Sequence, residues 1–273
     1  MNLSPISLAL TRPTANSFNP ASLFAAGEEG AWYDPSDFST MFQDTAGTIP
    51  VTATGQSVFR INDKSGRGHY LAQATATKQP TLQQDSDGKY YLQFDGTNDS
   101  LNTLLSGTIN LSTSDKVFVC QGYKIDNTVA AGVFSEFGIS ATTVGSFSII
   151  VPRGAGVDAI GYNVFISAQA QRGFASLGTS NKYVGSCQYD TSLGTQATAI
   201  NVKNNTNTTG TGFVGTVPGA GNFGTLTLYV GQRNDASAPY AGRMYGYIIR
   251  LGALAANERG FVENYMNAQT RAY

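Results

Sequence analysis

The sequence predicts an all-β fold, a jelly-roll sandwich closed by one helix, and two features carry that reading. From residue 31 onward, short runs of β-branched and aromatic residues are separated by Gly, Asn, Asp and Pro, the pattern of strands joined by turns. Only at the C-terminal end does the apolar spacing change to that of an amphipathic helix. A chain of 273 residues can remain a single all-β domain, and burial alone can supply its core without disulfides or metal.

Taken in order, residues 1–20 carry Pro5, Pro13 and Pro20 among Ser, Thr and Asn, which favours extended chain over helix. Leu3, Ile6, Leu8 and Leu10 are its apolar residues. They fit either an arm laid on a neighbouring subunit or a first strand of the chain's own sheet. The stretch from Pro20 to Gly27 reads as one helical turn ended by glycine. In residues 116–125, Val117, Val119, Tyr123 and Ile125 share one face, while Phe118, Cys120 and Gly122 share the other. Both faces are expected to be buried. Comparable runs occur at 89–94, 133–139, 146–151, 157–166, 183–189, 195–202, 226–230 and 243–251. The polar stretch 201–211 is read as a hairpin loop, since its length suits one. In residues 254–272, Phe261, Val262, Tyr265 and Met266 fall on one helical face and are expected to be buried together. The expected division is an assembly segment, 1–29, followed by one sandwich domain, 30–273.

Charge narrows the function classes. Seventeen Lys and Arg stand against eighteen Asp and Glu, a net charge of −1, with only 13% charged residues, about half the usual share. Nucleic acid binding needs a basic stripe, and the densest basic set is the spaced trio Arg60, Lys64 and Arg67. A surface of Ser, Thr, Asn, Gln and Gly instead suits assembly or glycan contact, because few ions lose hydration. Cys120 and Cys187 lie in apolar runs without metal-ligand spacing, and are expected to be buried thiols. No run approaches the ~18 apolar residues of a membrane span. The opening residues lack the basic start and apolar stretch of a signal peptide, so synthesis in a cytoplasm is expected.

Three segments resemble a known family. The first is Gly30-Ala31-Trp32-Tyr33-Asp34-Pro35-Ser36-Asp37, with Met41-Phe42-Gln43-Asp44, Ile49-Pro50-Val51-Thr52 and Asp63-Lys64-Ser65-Gly66-Arg67-Gly68-His69 after it. The second runs from Tyr91 through Phe94-Asp95-Gly96-Thr97-Asn98-Asp99 to Leu101, and the third from Tyr240-Ala241-Gly242-Arg243 into the helix bearing Glu258, Arg259, Val262, Glu263 and Tyr265. Together they resemble the laminin-G-like, concanavalin A-like jelly-roll domains of bacteriophage and prophage structural proteins. That resemblance implies a virion component, such as a head decoration or tail-associated protein made in the bacterial host. Its partners would be other virion proteins and copies of itself, a trimer in particular. The family often has Ser or Thr at the start of the closing helix, whereas this chain has Ala255, leaving Asn257 as the alternative cap.

Individual residues also have plainer readings. Asp95-Gly96 and Asn98-Asp99 suit a tight turn better than a calcium site, which needs six to eight oxygens. Trp32 is expected to be a core anchor rather than a sugar platform. Glycosidases of this architecture carry alternating carboxylates on one strand; here Glu136 stands alone. His69, the sole histidine, sits in a glycine-rich turn. No catalytic residue, cofactor or metal is therefore expected. The alternative to an assembly role is a module recognising a host surface glycan through loops 201–211 and 232–240, with Asn234, Asp235 and Tyr240 as contacts.

Overall fold

The alternating runs become two large antiparallel sheets laid face to face, with a small third pairing of Thr225–Leu226 and Ile109–Asn110, in a computed structural model, which describes residues 18–127, 130–154, 159–174, 177, 179 and 181–273. Among these, the smaller sheet has seven strands in the order Ile200–Asn204, Lys182–Asp190, Lys116–Ile125, Ala241–Leu251, Tyr90–Asp95 and Thr81–Gln84, with Gly30–Tyr33 also pairing with Ala241–Leu251. The larger has ten: Thr211–Val214, Gln169–Phe174, Ile160–Phe165, Ser146–Ile150, Val133–Phe137, Leu228–Val230, Leu101–Asn102, Leu71–Ala72, Arg60–Ile61 and Met41–Phe42.

Lys116–Ile125 shows why the sandwich has a third layer. Val117, Val119, Tyr123 and Ile125 enter the core between the sheets, whereas Phe118 and Cys120 join a second cluster on the sheet's other face. There they meet Leu23, Phe24, Trp32, Val262 and Met266. The 3-10 turn Pro20–Phe24 and the helix Ala256–Thr270 cover this face, so residues 20–24 are built into the fold. Leu3, Ile6, Leu8 and Leu10, the apolar residues of the expected arm, lie outside the described residues. Cys120 and Cys187 are both buried, but on opposite faces of the smaller sheet. Burial pushes both thiols up, away from the reactive thiolate.

The closing helix corrects two expectations. Val262 and Met266 are buried, but Phe261 and Tyr265 are only half-buried. Phe261 leans outward to stack on Phe18, with ring centroids 6.0 Å apart. Tyr265 reaches Asp34, its hydroxyl donating at 3.0 Å. Nor does Asn257 cap the helix, because the helix has already begun at Ala256. Glu258 does that work instead, its Oε2 accepting from the Ala255 amide at 2.9 Å.

Strand boundaries differ from expectation where side chains offer the backbone other partners. In 195–202, a helical turn Gln196–Ala199 precedes the strand, started by Thr195, whose Oγ1 accepts from the Thr198 amide at 3.3 Å. The run 226–230 is divided between Thr225–Leu226 and Leu228–Val230. The strand Gln169–Phe174 is too polar in sequence to stand out as one.

The first resembling segment proves to be a fastening. Asp63 Oδ1 accepts from the amides of Trp32 and Ser65 at 2.9 and 2.8 Å. Its Oδ2 accepts from Ser65 Oγ and the amides of Gly68 and His69 at 2.6, 3.1 and 3.2 Å. One carboxylate thus holds the 63–69 loop against strand Gly30–Tyr33. Lys64 bonds Asp34 and Asp37 at 2.9 and 2.8 Å and lies 4.4 Å from the Trp32 ring centre. Trp32, 6% exposed, is the core anchor expected. His69 Nε2 sits 2.6 Å from Glu29 Oε1.

Candidate functional site

The residues expected to contact a glycan are not brought together. Asn234 and Asp235 are exposed at the tip of the loop after Leu228–Val230. Tyr240 is fully buried at its root, donating its hydroxyl proton to the Lys124 carbonyl at 2.7 Å. It packs between Phe94 and Phe134 and offers no ring face to a sugar. The 95–99 carboxylates serve the turn: Asp95 Oδ1 accepts from the Thr97 amide at 2.7 Å, and Asp99 Oδ2 from the Asp95 amide at 3.0 Å.

A different set of polar side chains converges on the larger sheet. Phe137, Phe147, Ile149, Tyr162, Val164 and Ala170 point into the sandwich core, so their strand neighbours face the other way. Register then aligns Tyr229, Glu136, Ser148, Asn163 and Gln171 across five adjacent strands. With strands ~4.8 Å apart, the row is on the order of 19 Å long. A β-bulge between Val133 and Ser135 resets the alternation, placing Phe134 in the core and Glu136 on the outward face. In the next row lie Ile150, Gly161 and Gly173. Neither glycine has room for a side chain: a Cβ at Gly161 would collide with Gln171 Nε2, and one at Gly173 with the Ile160 carbonyl oxygen. Both glycines are buried, Gly161 beneath the Gln171 side chain, and half-buried Ile150 lies beside them, whereas half-buried Phe165 borders the polar row on its other side, opposite Ser146.

The row is unusually polar for its depth. Relative exposures are 0% for Glu136, 1% for Ser146 and Ser148, 2% for Asn163 and 4% for Gln171. Some needs are met: Asn163 Nδ2 donates to Ser148 Oγ at 3.0 Å, and Arg153 Nε to Gln171 Oε1 at 2.6 Å. Others are not. Asn163 Oδ1, Ser146 Oγ and both Glu136 oxygens lack a hydrogen bond of good geometry. Arg233 approaches Glu136 Oε1 at 3.1 Å as an ion pair. Burial pushes the Glu136 carboxyl up, with Arg233 drawing it down, Asp235 adding to the rise and the Asn234 amide opposing it. Each buried polar group left unsatisfied costs about 1–3 kcal/mol, so such a cluster calls for water or a ligand.

Of these residues, the sequence singles out only Glu136. The others carry a faint signal, since Ser146 with Ser148, and Gln169 with Gln171, are polar residues at alternate positions.

No protein-family model matches the chain, and no curated protein sequence matches it. Solved structures do. A GH54 α-L-arabinofuranosidase, a point mutant soaked with 4-nitrophenyl α-L-arabinofuranoside, aligns with 92% of the chain at TM-score 0.58 and 13% identity, over 66% of its own length. Botulinum neurotoxin type C, in a structure described by its dependence on two ganglioside molecules for cell entry, aligns with 91% of the chain at TM-score 0.55 and 10% identity, over 53% of its length. The fold is a lectin-like jelly roll. The binding domain of botulinum neurotoxin DC in complex with SialylT aligns with 85% of the chain at TM-score 0.50 and 10% identity, over 52% of its length. The chain thus spans between half and two thirds of these proteins, and identities this low speak for the fold alone.

Proposed function

We propose that the chain is a non-catalytic glycan-binding module that holds its ligand along the outward face of the larger sheet. The observation that carries this reading is the row Glu136, Ser148, Asn163 and Gln171, buried yet incompletely satisfied. Sugars are recognised by polar groups with apolar flanks, and half-buried Ile150 and Phe165 are the flanks here. The glycan-related proteins that share the fold support the same reading. Binding without cleavage is supported by the surroundings of Glu136, since hydrolysis needs two carboxyl groups across the scissile bond. Asp235 is the carboxylate that bears on Glu136, and it is exposed and turned to the Ser237 amide at 2.9 Å.

The test is a glycan array with the protein and Asn163→Ala, supported by an assay for reducing-sugar release. Binding weakened about tenfold by the substitution, with no sugar released, is expected. Absence of binding to any glycan would sink the reading, and release abolished by Glu136→Gln would show an enzyme.

The resemblance of the 30–69 segment to phage structural proteins supports placing this module on a virion, as an oligomer among other virion proteins. Deleting residues 1–17 tests that placement. Loss of particle incorporation at an unchanged Tm is the expected result, whereas normal incorporation would remove the assembly role of Leu3, Ile6, Leu8 and Leu10.

A further inference from the structure

We propose that the Glu136 row selects uncharged glycans through their hydroxyl and amide donors and rejects acidic ones. This deepens the reading above and rests on it. The atoms left without a hydrogen bond of good geometry are three carbonyl or carboxylate oxygens, Glu136 Oε1 and Oε2 and Asn163 Oδ1, together with the Ser146 hydroxyl; the Glu136 carboxylate is approached by Arg233 and by the Asn234 amide. Carboxylate and amide oxygens accept and do not donate, so the matching ligand must bring O–H or N–H groups. A carboxylated or sulfated sugar brings acceptors and negative charge to a buried carboxylate, an arrangement that is strongly disfavoured at an interface.

The neighbouring cations do not reverse that preference. Arg153 Nε is held by Gln171 Oε1 at 2.6 Å, and Arg233 Nη1 lies 3.1 Å from Glu136 Oε1. The Glu136 oxygens are sealed from solvent, and in this proposal a ligand reaches them as the Arg233 side chain, 23% exposed, swings aside. Asp235, exposed two residues along the same loop, is the nearby carboxylate placed to receive it. Arg233 therefore changes carboxylate partners and does not become free to hold an acidic ligand.

The test is titration calorimetry of the whole chain against fragments of neutral polysaccharides and against the same fragments after oxidation of their primary alcohols to carboxylates. The oxidised form is expected to bind at least about tenfold more weakly. Glu136→Gln, which keeps shape and removes charge, should narrow that gap by about tenfold. Asp235→Asn, an exposed change that does not threaten folding, should narrow it in the same direction by leaving Arg233 without its second carboxylate. Equal or tighter binding of the oxidised form would overturn the inference while leaving glycan binding intact. A gap that neither substitution moves would overturn the assignment to Glu136. Failure of both forms to bind would overturn the function proposal as well.

Discussion

At the scale of single residues, carboxylates here act mainly as clamps on the backbone. Asp63 accepts five hydrogen bonds that join the 63–69 loop to strand Gly30–Tyr33. Asp63→Ala should therefore cost about 2–4 kcal/mol, read as a lower denaturant midpoint at unchanged m-value. Asp99 acts in the opposite sense. Burial is the main cause of its carboxyl being pushed up to about 6 from an ordinary 3.8, with the Asp95 charge adding to the rise. The native state thus holds a proton that the unfolded chain releases, so this contribution to stability is complete below pH ~4 and is lost as the pH rises through ~6. Asp99→Asn, which keeps an acceptor for the Asp95 amide, should gain stability relative to the parent across that window. The gain should be no more than about 3 kcal/mol. Urea midpoints of both proteins between pH ~4 and ~7.5 measure it, and parallel curves would refute it. These roles explain why Asp, Asn and Gly cluster in the resembling segments: they are turn and clamp positions, and their acids are committed to the backbone.

At the scale of elements, the closing helix seats because the strands beneath it are locally bare. A Cβ at Gly122 would collide with Thr270 Cγ2 and stand 3.1 Å from Met266 Sδ, and one at Gly246 would stand 3.0 Å from Met266 Sδ. Gly122→Ala should lift the helix and lower stability by about 1–3 kcal/mol. Met266→Ala should cost about 2–4 kcal/mol as a true core truncation. Phe261→Ala should cost less, about 1–2 kcal/mol, because its ring is half-buried against Phe18. Denaturation of the three variants gives the ranking, and a Phe261 loss equal to that of Met266 would contradict the packing. Helical spacing put the centre of this face in the wrong place: the residues buried against the sheet are Arg259, Val262, Glu263, Met266 and Thr270, two of them charged, so Phe261 and Tyr265 fall to its side. It could not say how far the neighbouring layer reaches, and that is where Phe261 and Tyr265 depart from expectation.

At the scale of the whole molecule, both thiols report global opening. Cys120 lies under the helix and Cys187 lies between the sheets, so each reaches solvent only when a layer separates. Neither should react with a thiol reagent in the native state, and both should react together on unfolding; early reaction of Cys120 alone would show that the helix detaches first. The strand periodicity, the closing helix and the depth of Trp32 were determined by the sequence itself, because side-chain alternation and turn chemistry act over a few residues. The site was decided by tertiary structure. Glu136, Ser148, Asn163 and Gln171 come from four strands, and the bulge near Val133 decides which way Glu136 points. The same holds for Tyr240, whose place between Phe94 and Phe134 depends on residues roughly a hundred or more positions away. Pairing register and burial arise only when distant strands meet, so no local pattern could distinguish a packed tyrosine from a sugar-binding one.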